Sequence, residues 1–240
     1  MKILITGGAS GLGLKITELL AEKNHKVYFT YNNSKKSAED LQKNFSNVIG
    51  FKCDFKNPKS VDNLIKDIDL IDLESLINNA QTKFIIKHFL KFDSNQFKVG
   101  FDDNIYPVLK IAKTVIKGFK KRKFGRIVTI LSSAMINKPP LGWSEYVASK
   151  SYLASLVKSW ASEYISYGIT SNAISPSFMK TNLTSTFDNR IVEIIQKENA
   201  LKRLLNPKEV AEVVHFLLNT SPFINGQNIA MNEGKDCVGL

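Results

Sequence analysis

Short β-branched runs alternate with longer helical patterns from one end of the chain to the other, and that alternation leaves few folds open. Strands are expected over 2–6, 27–31, 48–53, 73–78, 125–131, 170–175 and 228–231. Between them, amphipathic periodicity predicts helices over about 12–23, 37–45, 61–68, 146–167 and 207–218, with one or two long helices over 95–121. Such an order implies parallel strands joined by right-handed crossovers, with helices on both faces of the sheet. The expected fold class is therefore α/β, a Rossmann-like doubly wound sheet whose ligands sit at the carboxyl ends of the strands. The 240 residues suit one domain and show no linker, repeat or low-complexity segment.

The first strand runs straight into Thr6-Gly7-Gly8-Ala9-Ser10-Gly11-Leu12-Gly13. Glycines there permit a tight turn and close backbone approach, and leave a helix N-terminus free to cradle a pyrophosphate. Placed between strand one and helix one, the loop predicts nucleotide binding, although its spacing is Gly-x-x-x-Gly-x-Gly rather than Gly-x-Gly-x-x-Gly. An acid closing strand two would hold a ribose 2′-hydroxyl. Here Tyr31-Asn32-Asn33-Ser34-Lys35-Lys36 stands instead, with no acid before Glu39, so a 2′-phosphate fits better and NADP (as NADPH) is expected over NAD. Asp54 closes strand three, and Asn78-Asn79-Ala80 closes strand four. Either could line the adenosine half or simply mark a turn or helix cap.

Tyr146 and Lys150 share one face of a predicted helix, just after a strand ending in Ser132 and Ser133. An ammonium near a phenol favours the phenolate and would draw its pKa down toward neutrality, suiting proton exchange with an alcohol or ketone. Tyr31/Lys35 and Tyr106/Lys110 have the same spacing, but neither follows a strand ending in hydroxyls, and both read as structural.

Taken together, these residues resemble the short-chain dehydrogenase/reductase family across essentially the whole chain. The matching motifs run in the family's order: the TGGASGLG loop, Asp54, Asn78-Asn79-Ala80, Asn104, GRIVTILS, Tyr146-Val-Ala-Ser-Lys150 and Asn172-Ala-Ile-Ser-Pro176. The stretches DDNIYPVLKIAK and FINGQNIAMNEG look most like the 3-oxoacyl-carrier-protein reductase branch. The resemblance implies that Tyr146 is the general acid in reduction, with Lys150 lowering its pKa and binding the nicotinamide ribose. Ser132 would orient the substrate oxygen; the family's serine-to-tyrosine spacing would fit Ser133, whereas the strand register points to Ser132. Asn104, mid-helix, would hold a water linking Lys150 to solvent. Gly7, Ser10, Gly11, Leu12 and Gly13 would line the pyrophosphate, with Tyr31, Asn32, Asn33 and Ser34 at the far ribose. Asp54 and Phe55 would border the adenine, with Asn79 and Ala80 along the adenosine half, while Pro176, Met179 and Thr181 would grip the carboxamide. The chain departs from the family where Gln81, Ser177 and Glu233 replace usual glycines.

The resemblance implies an NAD(P)-dependent oxidoreductase that interconverts a carbonyl and a secondary alcohol, with a 3-oxoacyl group or other ketone as substrate. The alternative is a nucleotide-sensing or scaffold protein on the same fold. Residues 181–201 would form the lid, mixing Leu183, Phe187 and Ile191 with Asn182, Asp188 and Arg190. A homodimer or homotetramer is expected through the long helices after strands four and five, around Leu153, Leu156 and Trp160.

The net charge of +11 raises nucleic acid as a partner, but the lysines are scattered, and the one dense run, KGFKKRKFGR, reads as a solvated helix end. Cys53 and Cys237 lie far apart and the three histidines are isolated, so no metal site is expected and a reducing, cytoplasmic compartment is the plain reading. Neither a leader nor an apolar run of membrane-spanning length is visible.

Overall fold

The computed structural model describes residues 1–136, 138–181, 183–184 and 187–235. Seven strands form one sheet: β1 (Lys2–Ile5), β2 (Lys26–Tyr31), β3 (Val48–Lys52), β4 (Ser75–Asn78), β5 (Gly125–Ile130), β6 (Ile169–Pro176) and β7 (Asn228–Met231). Their order is β3-β2-β1-β4-β5-β6-β7, and every neighbouring pair is parallel. The order reverses between β1 and β4, which opens a crevice beyond their carboxyl ends. Every residue of β4, β5 and β6 is buried, as expected for central strands covered on both faces.

Eight α-helices are described: α1 (Gly11–Glu22), α2 (Lys35–Asn44), α3 (Pro58–Asp69), α4 (Ser94–Asn104), α5 (Tyr106–Arg122), α6 (Ser144–Tyr164), α7 (Asn189–Glu198) and α8 (Pro207–Asn219). They divide the core in two. One cluster, with Leu76, Ile105, Phe119 and Trp160, fills the face under α3, α5 and α6. The other, with Ile3, Phe29, Ile77 and Val214, fills the face under α1, α2 and α8.

Several boundaries move for local reasons. α3 begins at Pro58 because Asn57 caps it, accepting from the amides of Lys59 and Ser60. The segment over 95–121 is two helices, broken at Ile105, with Pro107 in the first turn of α5. Asn104 is therefore the last residue of α4, not a mid-helix residue. α7 lies inside the expected lid, where no helix was anticipated; Asp188 caps it by accepting from the Arg190 amide. Leu153 and Trp160, expected on an outer face, are buried in the core, and Leu156 packs against it. Asn182 of the lid and Cys237 lie outside the described residues. Among those described, no helix is long and apolar enough to cross a membrane.

Candidate active site

The glycine loop is built on Thr6. Its hydroxyl accepts from the amides of Asn79 and Ala80 at 2.9 and 3.0 Å, while the Asn79 side chain donates to the Thr6 and Gly7 carbonyls at 3.0 and 3.2 Å. On the other side, the Gly7 amide donates to the Thr30 hydroxyl at 2.8 Å. The loop is thus stitched to β4 and β2 at once. Gly7 takes φ +69°, and a Cβ on Gly13 would meet the Gly7 carbonyl oxygen at 2.0 Å, so backbone and helix touch only because both are glycine. Ser10 makes no capping bond to α1, which leaves the first-turn amides and this hydroxyl facing the crevice. That cradle fits the pyrophosphate of a dinucleotide. The Leu12 side chain lies in the core, so only its backbone is left to the loop.

Beyond β2, Asn32 and Asn33 are exposed, and Ser34 precedes α2 without capping it. No acid lies in the first turn of α2, and Lys35 pairs with Glu39 at 3.6 Å. Asp54 has a turn role: one oxygen accepts from the Lys56 amide at 3.0 Å. The Phe55 ring is committed to the core, which leaves its backbone at the end of β3. Pro176 ends β6, the Ser177 amide bonds the Met231 carbonyl at 3.0 Å, and Met179 packs on the core. The Thr181 amide donates to the Thr184 hydroxyl at 2.9 Å, forming a tight turn at the start of the lid. Of the other two Tyr-x-x-x-Lys pairs, Lys35 is exposed and only loosely paired with Glu39, and Lys110 is paired with Asp62.

Tyr146 and Lys150 both face inward from α6, beside the end of β5. Ser132, whose hydroxyl accepts from the Ala134 amide at 3.2 Å, also interacts with the Tyr146 phenol. Ser133 opens the short 3-10 turn Ser133–Met135. Burial pushes the Tyr146 phenol above its ordinary value, opposed by the Ser132 bond. This corrects the expected lowering by Lys150. The ammonium instead donates to the Ile130 carbonyl at 2.9 Å and stands 5.7 Å from the centre of the phenol ring. Burial brings Lys150 itself down to about 8.

The Asn104 side chain makes four hydrogen bonds. Its side-chain oxygen accepts from Gln81 Nε2 at 2.9 Å, from the Thr82 amide at 2.8 Å and from the Thr82 hydroxyl at 2.9 Å. Its amide donates to the Gly100 carbonyl at 3.0 Å. Gln81, where the family has glycine, therefore turns toward Asn104 at the end of α4. Glu233, at another usual glycine, takes φ +60°, and its carboxylate accepts from the Ala200 amide at 2.8 Å.

Three groups escaped the sequence reading. Thr6 and Thr30 look like ordinary strand residues until the loop closes on them. Glu145, next to Tyr146, is buried against Gly100 with its carboxyl raised by burial. The Tyr146 ring is also covered: Phe84 stacks on it at 4.4 Å and 25°, and Trp143 meets it edge-on at 5.5 Å. No periodic pattern marks Phe84, which lies in an irregular stretch.

Residues 7–236 match the family model described as enoyl-(acyl carrier protein) reductase. The chain belongs to the short-chain dehydrogenase/reductase family. It is 32% identical over 236 residues to the 3-oxoacyl-[acyl-carrier-protein] reductase of Rickettsia typhi, covering 96% of this chain and 95% of that protein. It is 30% identical over 237 residues to the acetoacetyl-CoA reductase of Shinella zoogloeoides, covering 97% of both. A solved short chain dehydrogenase/reductase family protein superposes with a TM-score of 0.87 at 27% identity, covering 99% of this chain and 98% of that one. Family membership makes the chain an NAD(P)-dependent oxidoreductase acting at a carbonyl or its alcohol.

Proposed function

We propose that this enzyme reduces ketones with NADPH, 3-oxoacyl thioesters foremost, and that Tyr146 delivers the proton. The observation that carries the reading is the placing of the Tyr146 phenol against the Ser132 hydroxyl at the carboxyl edge of the sheet, with the Lys150 ammonium beside them. Two hydroxyls converging on one point suit a carbonyl oxygen that gains charge and then a proton. The cofactor supplies the hydride. Ser132 orients the oxygen, Tyr146 protonates it, and Lys150 supplies the positive charge that makes a phenolate tolerable afterwards. Because the Asn104 side-chain oxygen already accepts three hydrogen bonds, its part is to fix the α4–α5 break, leaving its backbone carbonyl for a proton-carrying water.

NADPH is favoured by the acid-free end of β2 and the uncommitted Ser34, with Lys35 and Lys36 in the first turn of α2. Gly7, Ser10, Gly11, Leu12 and Gly13 take the pyrophosphate. Asp54, Phe55, Asn79 and Ala80 flank the adenosine, and Pro176, Met179 and Thr181 the nicotinamide. The 3-oxoacyl class follows the names of the relatives, the acyl group riding on coenzyme A or a carrier protein. We read residues 1–240 as one catalytic unit with the lid at about 181–201, in a cytoplasmic setting that keeps buried Cys53 reduced.

The test compares NADPH with NADH on 3-oxoacyl thioesters and simple ketones. Tyr146→Phe is expected to cut kcat by about 10²–10⁴ with cofactor affinity retained, and Ser132→Ala to cut it more than Ser133→Ala. Near-normal turnover in Tyr146→Phe would remove the mechanism.

A further inference from the structure

Phe84 belongs to no regular element, yet it is held from both sides. Just before it, the Thr82 amide and hydroxyl bond Asn104 at 2.8 and 2.9 Å. Just after it, the Lys87 amide donates to the Gly142 carbonyl at 3.0 Å. Gly142 takes φ +81°, and a Cβ there would press on Ile86 and Lys87 at 3.1 Å, so the two loops meet through glycine. Between these anchors the Phe84 ring lies on Tyr146 at 4.4 Å, with the Trp143 ring edge-on to it at 5.0 Å. Trp143 in turn meets Phe187 of the lid at 5.8 Å, and Phe187 meets Phe178 at 5.4 Å. A cavity of about 180 Å³ opens alongside, lined by Phe84, Ile86, Leu183 and Phe187, with Lys83 as the one charged residue among the described lining.

We propose that Phe84 is a specificity-determining residue: with Trp143 and Phe187 it walls the approach to Tyr146, so that accepted ketones carry an apolar chain or ring beside the carbonyl and polyhydroxylated ketones are refused. This rests on Tyr146 being the proton donor. Apart from Lys83, the described residues that line the cavity offer no side-chain hydrogen bond. A hydroxyl entering would give up its water and find no partner, whereas an alkyl chain gains burial against rings. Phe84 is the decisive member because its ring rests on the reacting residue itself, so whatever approaches the phenol passes that ring.

The experiment pairs ethyl 3-oxohexanoate with the ketose erythrulose, reading kcat/KM with NADPH and, separately, ester binding from the fluorescence of Trp143. Wild type is expected to prefer the ester by at least about 100-fold. Phe84→Ala and Phe84→Asn should narrow that preference about tenfold or more and weaken ester binding comparably, with melting temperature and NADPH affinity unchanged. Phe84→Leu should stay near wild type. If the esters are reduced but the preference is the same with and without Phe84, the wall is wrong and the proton-donor reading stands. If no ketone is reduced while ester binding still depends on Phe84, the proton-donor reading fails and the apolar wall stands. If the ester neither binds nor reacts, both are overturned.

Discussion

A buried ammonium is costly to keep, because water solvates it far better than a protein interior does. Lys150 is only 3% exposed and is held by the Ile130 carbonyl, and its pKa comes down to about 8. The unfolded chain keeps that proton up to the ordinary value of 10.5, while the folded chain releases it at about 8. Between those values the unfolded state binds more protons, so stability rises with pH across that window, and the penalty is complete below it. Lys150→Met is therefore expected to be more stable than wild type at pH 7, by up to about 3 kcal/mol less the carbonyl bond, and to lose this pH dependence. Thermal melts from pH 6 to pH 10 would show it. In the wild type, kcat/KM for reduction should fall as the pH passes about 8, since a neutral Lys150 no longer offsets a phenolate. An ordinary rate at pH 9.5 would mean that another cation serves Tyr146.

The junction of β1 and α1 is where an element's placement depends on missing atoms. Gly13→Ala puts a methyl into the Gly7 carbonyl, a backbone atom that cannot turn aside. The expected cost is about 1–3 kcal/mol in stability, with NADPH affinity falling more than tenfold as the loop is pushed out of place. Denaturant melts and cofactor titration check the two together. This junction was legible in sequence because glycines after an apolar strand have few other uses. The elements missed or shifted lacked such a signal. The break at Ile105 was left open, as one helix or two, because apolar periodicity runs through Pro107, which a first helical turn accepts as readily as a kink. α7 carries a helical pattern in Ile191, Val192, Ile194 and Ile195, but none of these is buried, so it stands outside the core alternation of strand and helix and was read as lid. Tyr146 and Lys150 could be picked out by context, but the Phe84 ring on Tyr146 and the Phe187 ring on Trp143 come from distant segments, and only the fold brings them together. The pKa direction was misjudged for a related reason: sequence shows a charge four residues away, whereas burial belongs to the whole fold.

At the scale of the molecule, the outer surface of the long helices is more apolar than a solitary subunit needs. Val99 and Phe101 on α4, Tyr106 on α5 and Tyr152 on α6 are all exposed, and Phe101 meets Tyr152 edge-on at 5.3 Å. We expect a dimer or tetramer to form across this surface, in place of the buried Leu153 and Trp160, because such patches mark interfaces. Phe101→Glu with Tyr152→Glu should yield a smaller species by light scattering, and a wild-type monomer at micromolar concentration would dispose of the idea. The stitching of the glycine loop also carries a consequence for how the chain is made. Thr6 and Asn79 are 73 positions apart, and the hydrogen bonds between them close the floor of the loop. A nascent chain that has emerged only through β3 can pair β1, β2 and β3, yet it lacks the β4 end that fixes Thr6 and Gly7. The nucleotide therefore cannot assist the earliest steps of synthesis, and its stabilising grip begins once residue 80 is free of the ribosome.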